Sequence, residues 1–101
     1  MKKLSKVQLK QQAAVLAAVN ILEEKAIAEL NAMQAWFSMD YDAFPGSLLV
    51  RIQFENESEI ERASPQLLLW QKRLSALLVK KGIVLKDMRR NLIFTVLGPD
   101  D

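Results

Sequence analysis

Leu48-Leu49-Val50-Arg51-Ile52-Gln53-Phe54-Glu55 sits at the middle of this 101-residue chain, and its reading decides the fold class. Leu48, Val50, Ile52 and Phe54 alternate with Leu49, Arg51, Gln53 and Glu55, the period of a strand with one apolar and one mainly polar face. A strand over 47–55 with helix-period sequence on both sides predicts an α+β protein.

Upstream, Tyr41 to Ser47 reads as a loop, with Pro45-Gly46 supplying turn geometry and Phe44 held extended by the proline after it. From Ser5 to about Met39 there is neither glycine nor proline, and good helix formers dominate. Val15, Val19, Leu22, Ala26, Leu30, Met33 and Phe37 follow one another at intervals of three and four, which predicts one amphipathic helix over about 5–39. Some 30 residues at 1.5 Å each span about 45 Å, more than the rest of so small a domain covers. Either residues 1–12 fray or another chain covers them.

Downstream, the acidic stretch Asn56 to Ala63 has the Ser58/Glu61 spacing of a capping box, enough for a short helical turn. Ser64-Pro65 then places a capping hydroxyl before a proline suited to the first helical position. Leu67, Trp70, Leu74, Leu77 and Leu78 form the stripe of a second helix over 65–81, closed by Gly82 behind Lys80 and Lys81. Ile83-Val84-Leu85, the polar turn Lys86 to Asn91 and the run Leu92 to Leu97 read as a hairpin over 83–97. Because Leu92-Ile93-Phe94-Thr95-Val96-Leu97 is apolar on both faces, it is expected to be the central strand, giving a three-stranded sheet of order 1-3-2. The expected architecture is α-β-α-β-β, one domain over 1–101 with the long first helix and the second helix packed on the sheet.

Composition narrows the chemistry. The chain has no histidine and no cysteine, which removes thiol nucleophiles, disulfides, imidazole-based triads and the ordinary ligands of zinc and copper. Carboxylate, lysine, arginine, tyrosine and hydroxyl groups occur in no recognisable catalytic spacing, so a non-enzymatic protein without cofactor is expected. The lack of cysteine also tilts the expectation toward the cytoplasm. Lys2, Lys3 and Lys6 precede an apolar stretch over Ala13 to Leu22, but Asn20 interrupts it and Glu23-Glu24 follow where a signal-peptide cleavage site belongs. That stretch is also far short of the ~20 residues a membrane span requires.

The net charge of +2 hides a segregated pattern. Residues 1–12 carry four lysines and no acid, 13–65 are net acidic, and 66–97 hold seven cations against Asp87 alone. Lys72, Arg73, Lys80, Lys81, Lys86, Arg89 and Arg90 form a candidate nucleic-acid contact surface with salt-sensitive affinity; the competing reading is a solvated helix face and turn. Asp40, Asp42, Glu55, Glu57, Glu59 and Glu61 lack the spacing and glycine of an EF-hand loop and read as solvated. Trp36, Phe37, Tyr41 and Phe44 cluster at the junction of first helix and strand, where they either pack in the core or line a pocket. The first helix carries Leu16, Ile21 and Ile27 outside its main stripe, more apolar width than one sheet requires. Self-association as a homodimer through Val15, Leu16, Val19 and Ile27 is the leading expectation, with cover by the second helix as its rival.

Trp36, Phe44-Pro45-Gly46-Ser47-Leu48-Leu49-Val50 running to Phe54, and Leu78-Val79-Lys80-Lys81-Gly82-Ile83-Val84-Leu85-Lys86-Asp87-Met88 followed by Phe94 resemble a family of small gammaproteobacterial proteins labelled as Fis-like transcriptional regulators. The resemblance covers about half of the chain. It implies no particular activity, and its label implies a regulator. The residues themselves show no pair of short helices joined by a glycine turn of the kind that places a recognition helix in a major groove. The function expected is that of a small cytoplasmic interaction module, and the alternative is a nucleic-acid-associated regulator acting through the basic block 72–90.

Overall fold

In the computed structural model, which describes residues 3–101, the first helix α1 runs over Lys6–Leu30. It begins in a reciprocal cap: the Ser5 hydroxyl accepts the Gln8 backbone N–H at 3.1 Å, and the Gln8 side chain accepts the Ser5 N–H at 3.0 Å. Of the two alternatives for residues 1–12, fraying or cover by another chain, the structure shows helix from Lys6 onward; Met1 and Lys2 lie outside the described residues. α1 also stops short of the predicted Met39. Asn31 takes a left-handed conformation at φ 60°, and the Ala32 N–H reaches back to the Ala26 carbonyl at 3.2 Å, closing the helix.

The freed segment becomes strand β1, Gln34–Ser38. It pairs antiparallel with β2, Leu49–Gln53, and β2 pairs in parallel with β3, Leu92–Thr95. Between β2 and β3 the chain forms α2, Glu57–Ala63, a 3-10 turn over Ser64–Gln66, and α3, Leu67–Val79. This α+β fold has a three-stranded mixed sheet with the long N-terminal helix and a second main helix packed on it.

The predicted strand order is corrected. β2, not the run from Leu92, is central, and no hairpin forms over 83–97. Ile83 and Leu85 are 9% exposed and Val84 65%, so the segment alternates like a strand yet pairs with none. It spans only from Gly82 to a polar 3-10 turn over Met88–Arg90, whereas the helical crossover before it brings β3 beside β2 in the parallel sense. The neighbour relation of 49–53 and 92–95 is as expected; their direction is opposite.

Capping chemistry explains the helix bounds. Asn56, rather than Ser58, caps α2 by accepting the Glu59 N–H at 3.0 Å. The Ser64 hydroxyl donates backward to the Ile60 carbonyl at 2.7 Å instead of capping the second helix, so α3 starts two residues after Pro65. Gly82 behaves as expected, at φ +79° just past the helix, with the Ile83 N–H bonded to the Leu78 carbonyl.

The core joins Val15, Ala18, Val19, Leu22, Ala26 and Leu30 of α1 to Trp70, Leu74 and Leu78 of α3 across Val50, Ile52, Phe54 and Leu92. The opposite sheet face carries Trp36, Arg51 and Ile93 in one row. There the Arg51 guanidinium lies 4.4 Å over the Trp36 ring and donates to the Ser38 hydroxyl at 2.9 Å. Helix side chains reach both sheet edges: Glu23 accepts the Ala35 N–H at 2.8 Å on β1, and Gln71 donates to the Leu92 carbonyl at 3.1 Å on β3. These contacts obstruct the edges as templates for strand addition.

Candidate interaction surface

α1 has 25 residues, about 37 Å at 1.5 Å per residue. Its buried stripe begins only at Val15, and Lys6 to Ala14 contribute no fully buried side chain. A second line of side chains runs beside the buried stripe, along the flank of the helix. Leu9, Ala13, Leu16, Asn20, Glu23 and Ile27 follow at intervals of four, three, four, three and four, the spacing of a helix–helix seam. Leu9 is 51% exposed, Leu16 49% and Ile27 47%.

Of the residues expected to self-associate, the structure thus divides the set. Val15 and Val19 are 0% and 3% exposed and belong to the core, because they share the face of Leu22 and Ala26. Leu16 and Ile27 stay on the surface. Leu9, absent from the expected set, joins them; its seven-residue spacing from Leu16 is the signal in the sequence. Ile21 is separate, facing a small groove between α1 and α3 with Lys25, Arg73, Ala76 and Leu77.

The basic block also divides. Lys72, Lys86 and Arg89 line one open groove of about 470 Å³ with Leu68, Leu85 and Met88. Lys86 and Arg90 line a neighbouring groove of about 450 Å³ with Phe44, Pro45 and Val84. Asp87 lies between the arginines, 3.3 Å from Arg89 and 3.8 Å from Arg90. Arg73 faces elsewhere, 4.7 Å over the Trp70 ring and paired at 3.2 Å with Glu29 of α1. Lys80 and Lys81 are exposed at the end of α3 and line neither groove.

Asn91 ties the second groove together without having been singled out in the sequence. It is 3% exposed, and its amide donates to the carbonyls of Leu48 at 2.8 Å and Pro45 at 3.2 Å, which ties the Pro45 loop to the start of β3. The aromatic junction forms no shared pocket. Phe37 and Phe44 pack against the core, Trp36 faces the other side of the sheet, and Tyr41 lies in a shallow groove with Leu4 and Gln8. Among the described residues no group of three or more acidic side chains is arranged to hold a metal ion, and no helix is long and apolar enough to cross a membrane.

No protein-family model, no curated protein and no solved structure matches the chain.

Proposed function

We propose that the chain is a small, non-enzymatic cytoplasmic interaction module that self-associates through the outward line of α1. The observation carrying this reading is the row Leu9, Leu16 and Ile27, each about half exposed along the flank of a helix whose adjoining face fills the core. Two features support it. The turns from Lys6 to Ala14 are capped yet bury no side chain fully, so they are the stretch of the 25-residue helix with the least tertiary cover. Glu23 and Gln71 each occupy one backbone group of a sheet edge, which disfavours strand addition there relative to helix packing. The absence of cysteine supports the cytoplasmic placement, and the absence of both cysteine and histidine supports a role other than catalysis.

Light scattering on the purified protein tests the reading. The wild type is expected at twice the 11.5 kDa chain mass at micromolar concentration. Leu16→Glu and Ile27→Glu are each expected to return it to the single-chain mass with an unchanged far-ultraviolet spectrum. A substituted chain that stays dimeric removes this surface from the interface.

A second reading, a nucleic-acid-associated regulator, is favoured by the convergence of Lys72, Lys86 and Arg89 on one groove, where they outnumber the single acid Asp87, and it accords with the regulator label of the resembling family. α3 does not have the surface of a recognition helix, since its exposed N-terminal positions are Leu68 and Leu69. Fluorescence anisotropy with duplex DNA at 50 and 200 mM salt tests this reading. Replacing Lys72, Lys86 and Arg89 by alanine is expected to flatten the log–log salt slope by roughly one unit per lost phosphate contact. No binding at the lower salt removes the reading.

A further inference from the structure

We infer that the two copies of α1 pair antiparallel, about a twofold axis near residue 18; this rests on the self-association reading and adds its geometry and electrostatics. Charge along the helix is the argument. Lys3, Lys6 and Lys10 are exposed at its start, whereas the acids Glu23, Glu24 and Glu29 lie toward its end, where the one cation, Lys25, faces the groove against α3 on the far side from the line. Glu29 is taken by Arg73 and Glu23 by the Ala35 N–H. Glu24 is exposed and has no ion-pair partner among the described residues.

At 3.6 residues per turn, Lys6, Lys10 and Glu24 fall on one flank of the line Leu9–Leu16–Ile27, while Gln12 and Glu23 lie toward the other. A twofold axis across an antiparallel pair brings like flanks together. Centred on residue 18, it sets Leu9 against Ile27 of the partner subunit and Leu16 against Asn20 of the partner subunit. Lys10 then comes level with Glu24 of the partner subunit to within two residues, about 3 Å along the axis, and symmetry repeats the pair. The positive start of each helix also lies beside the negative end of the other, as the helix dipoles favour. A parallel pair brings opposite flanks together instead, placing Glu24 beside Glu23 of the partner subunit and gathering Lys3, Lys6 and Lys10 of both copies at one end. Like charges at such positions oppose pairing.

The chain has no cysteine, so thiol cross-linking reports orientation without background. Leu9→Cys and Ile27→Cys are made separately and treated with a short bismaleimide, each alone and as an equimolar, exchanged mixture. The antiparallel pair predicts a band at twice the 11.5 kDa chain mass in the mixture and its loss when Leu9→Cys is treated alone, because two position-9 thiols then sit about 27 Å apart. A strong band from Leu9→Cys alone overturns the orientation and leaves self-association standing. A dimeric mass with no cross-link in any sample overturns the pairing of these faces. A single-chain mass for the wild type overturns self-association and the orientation with it.

Discussion

Val19→Glu is expected to leave the chain unfolded at room temperature, whereas Leu16→Glu, three residues earlier, is expected to leave it folded. Val19 is 3% exposed within the cluster of Val15, Leu22 and Ala26, so a carboxylate there has no water and no cation to meet. Burying an unpaired charge costs several kcal/mol, comparable with the ~5–15 kcal/mol that holds a typical domain together. Leu16 is 49% exposed, where substitutions usually change stability by about 0.5 kcal/mol or less. Circular dichroism with thermal melts separates the cases: loss of the helical signal for Val19→Glu, and a cooperative transition for Leu16→Glu. A Val19→Glu chain that folds normally and loses only its dimeric mass would show that the helix presents its Val15–Val19 face to the partner.

The second large effect lies at Trp70. Its ring is fully buried among Leu74, Leu78 and the α1 stripe, with the Arg73 guanidinium stacked on it. Trp70→Ala is expected to cost about 3–5 kcal/mol, the range for emptying the site of a large core aromatic. Trp70→Phe is expected to cost much less. Phenylalanine keeps most of the packing and removes an indole N–H that is buried without a protein acceptor, a group that itself costs about 1–3 kcal/mol when unpaired. Urea unfolding midpoints measure both, and an alanine variant within 1 kcal/mol of wild type would contradict the placement of this ring in the core.

How much of this was legible beforehand depended on whether the deciding signal was local. The alternation from Leu48 to Phe54 is a local signal and gave a strand in place, trimmed to Leu49–Gln53. Gly82 terminated the second helix as its backbone freedom predicts. The first helix was overrun because Met33 and Phe37 continue the three-and-four spacing by coincidence, while the stop signal was one residue, Asn31, able to adopt a left-handed conformation. Missing that stop hid β1, and without β1 the sheet needed another third strand, for which Ile83-Val84-Leu85 was the nearest apolar run.

The order of strands is a tertiary property. Leu92 to Leu97 is apolar on both faces in sequence, yet β3 lies at an edge where Leu92 and Phe94 face the helices and Ile93 the outer side. Its alternation does not say how many neighbours it has.

The candidate surface was half legible for a related reason. Excess apolar width on the first helix was visible, but which line faces the sheet depends on where the helix is docked. That Val15 and Val19 are buried while Leu9, Leu16 and Ile27 stay half exposed is decided only once the core is assembled. The groove joining Lys72 to Lys86 and Arg89 likewise needs α3 and the turn before β3 to meet.

The most direct test of the central claim is the solution mass of the wild-type protein, by light scattering from about 1 to 100 μM. Self-association through α1 predicts twice the 11.5 kDa chain mass, dissociating on dilution. A single-chain mass across the whole range would contradict it.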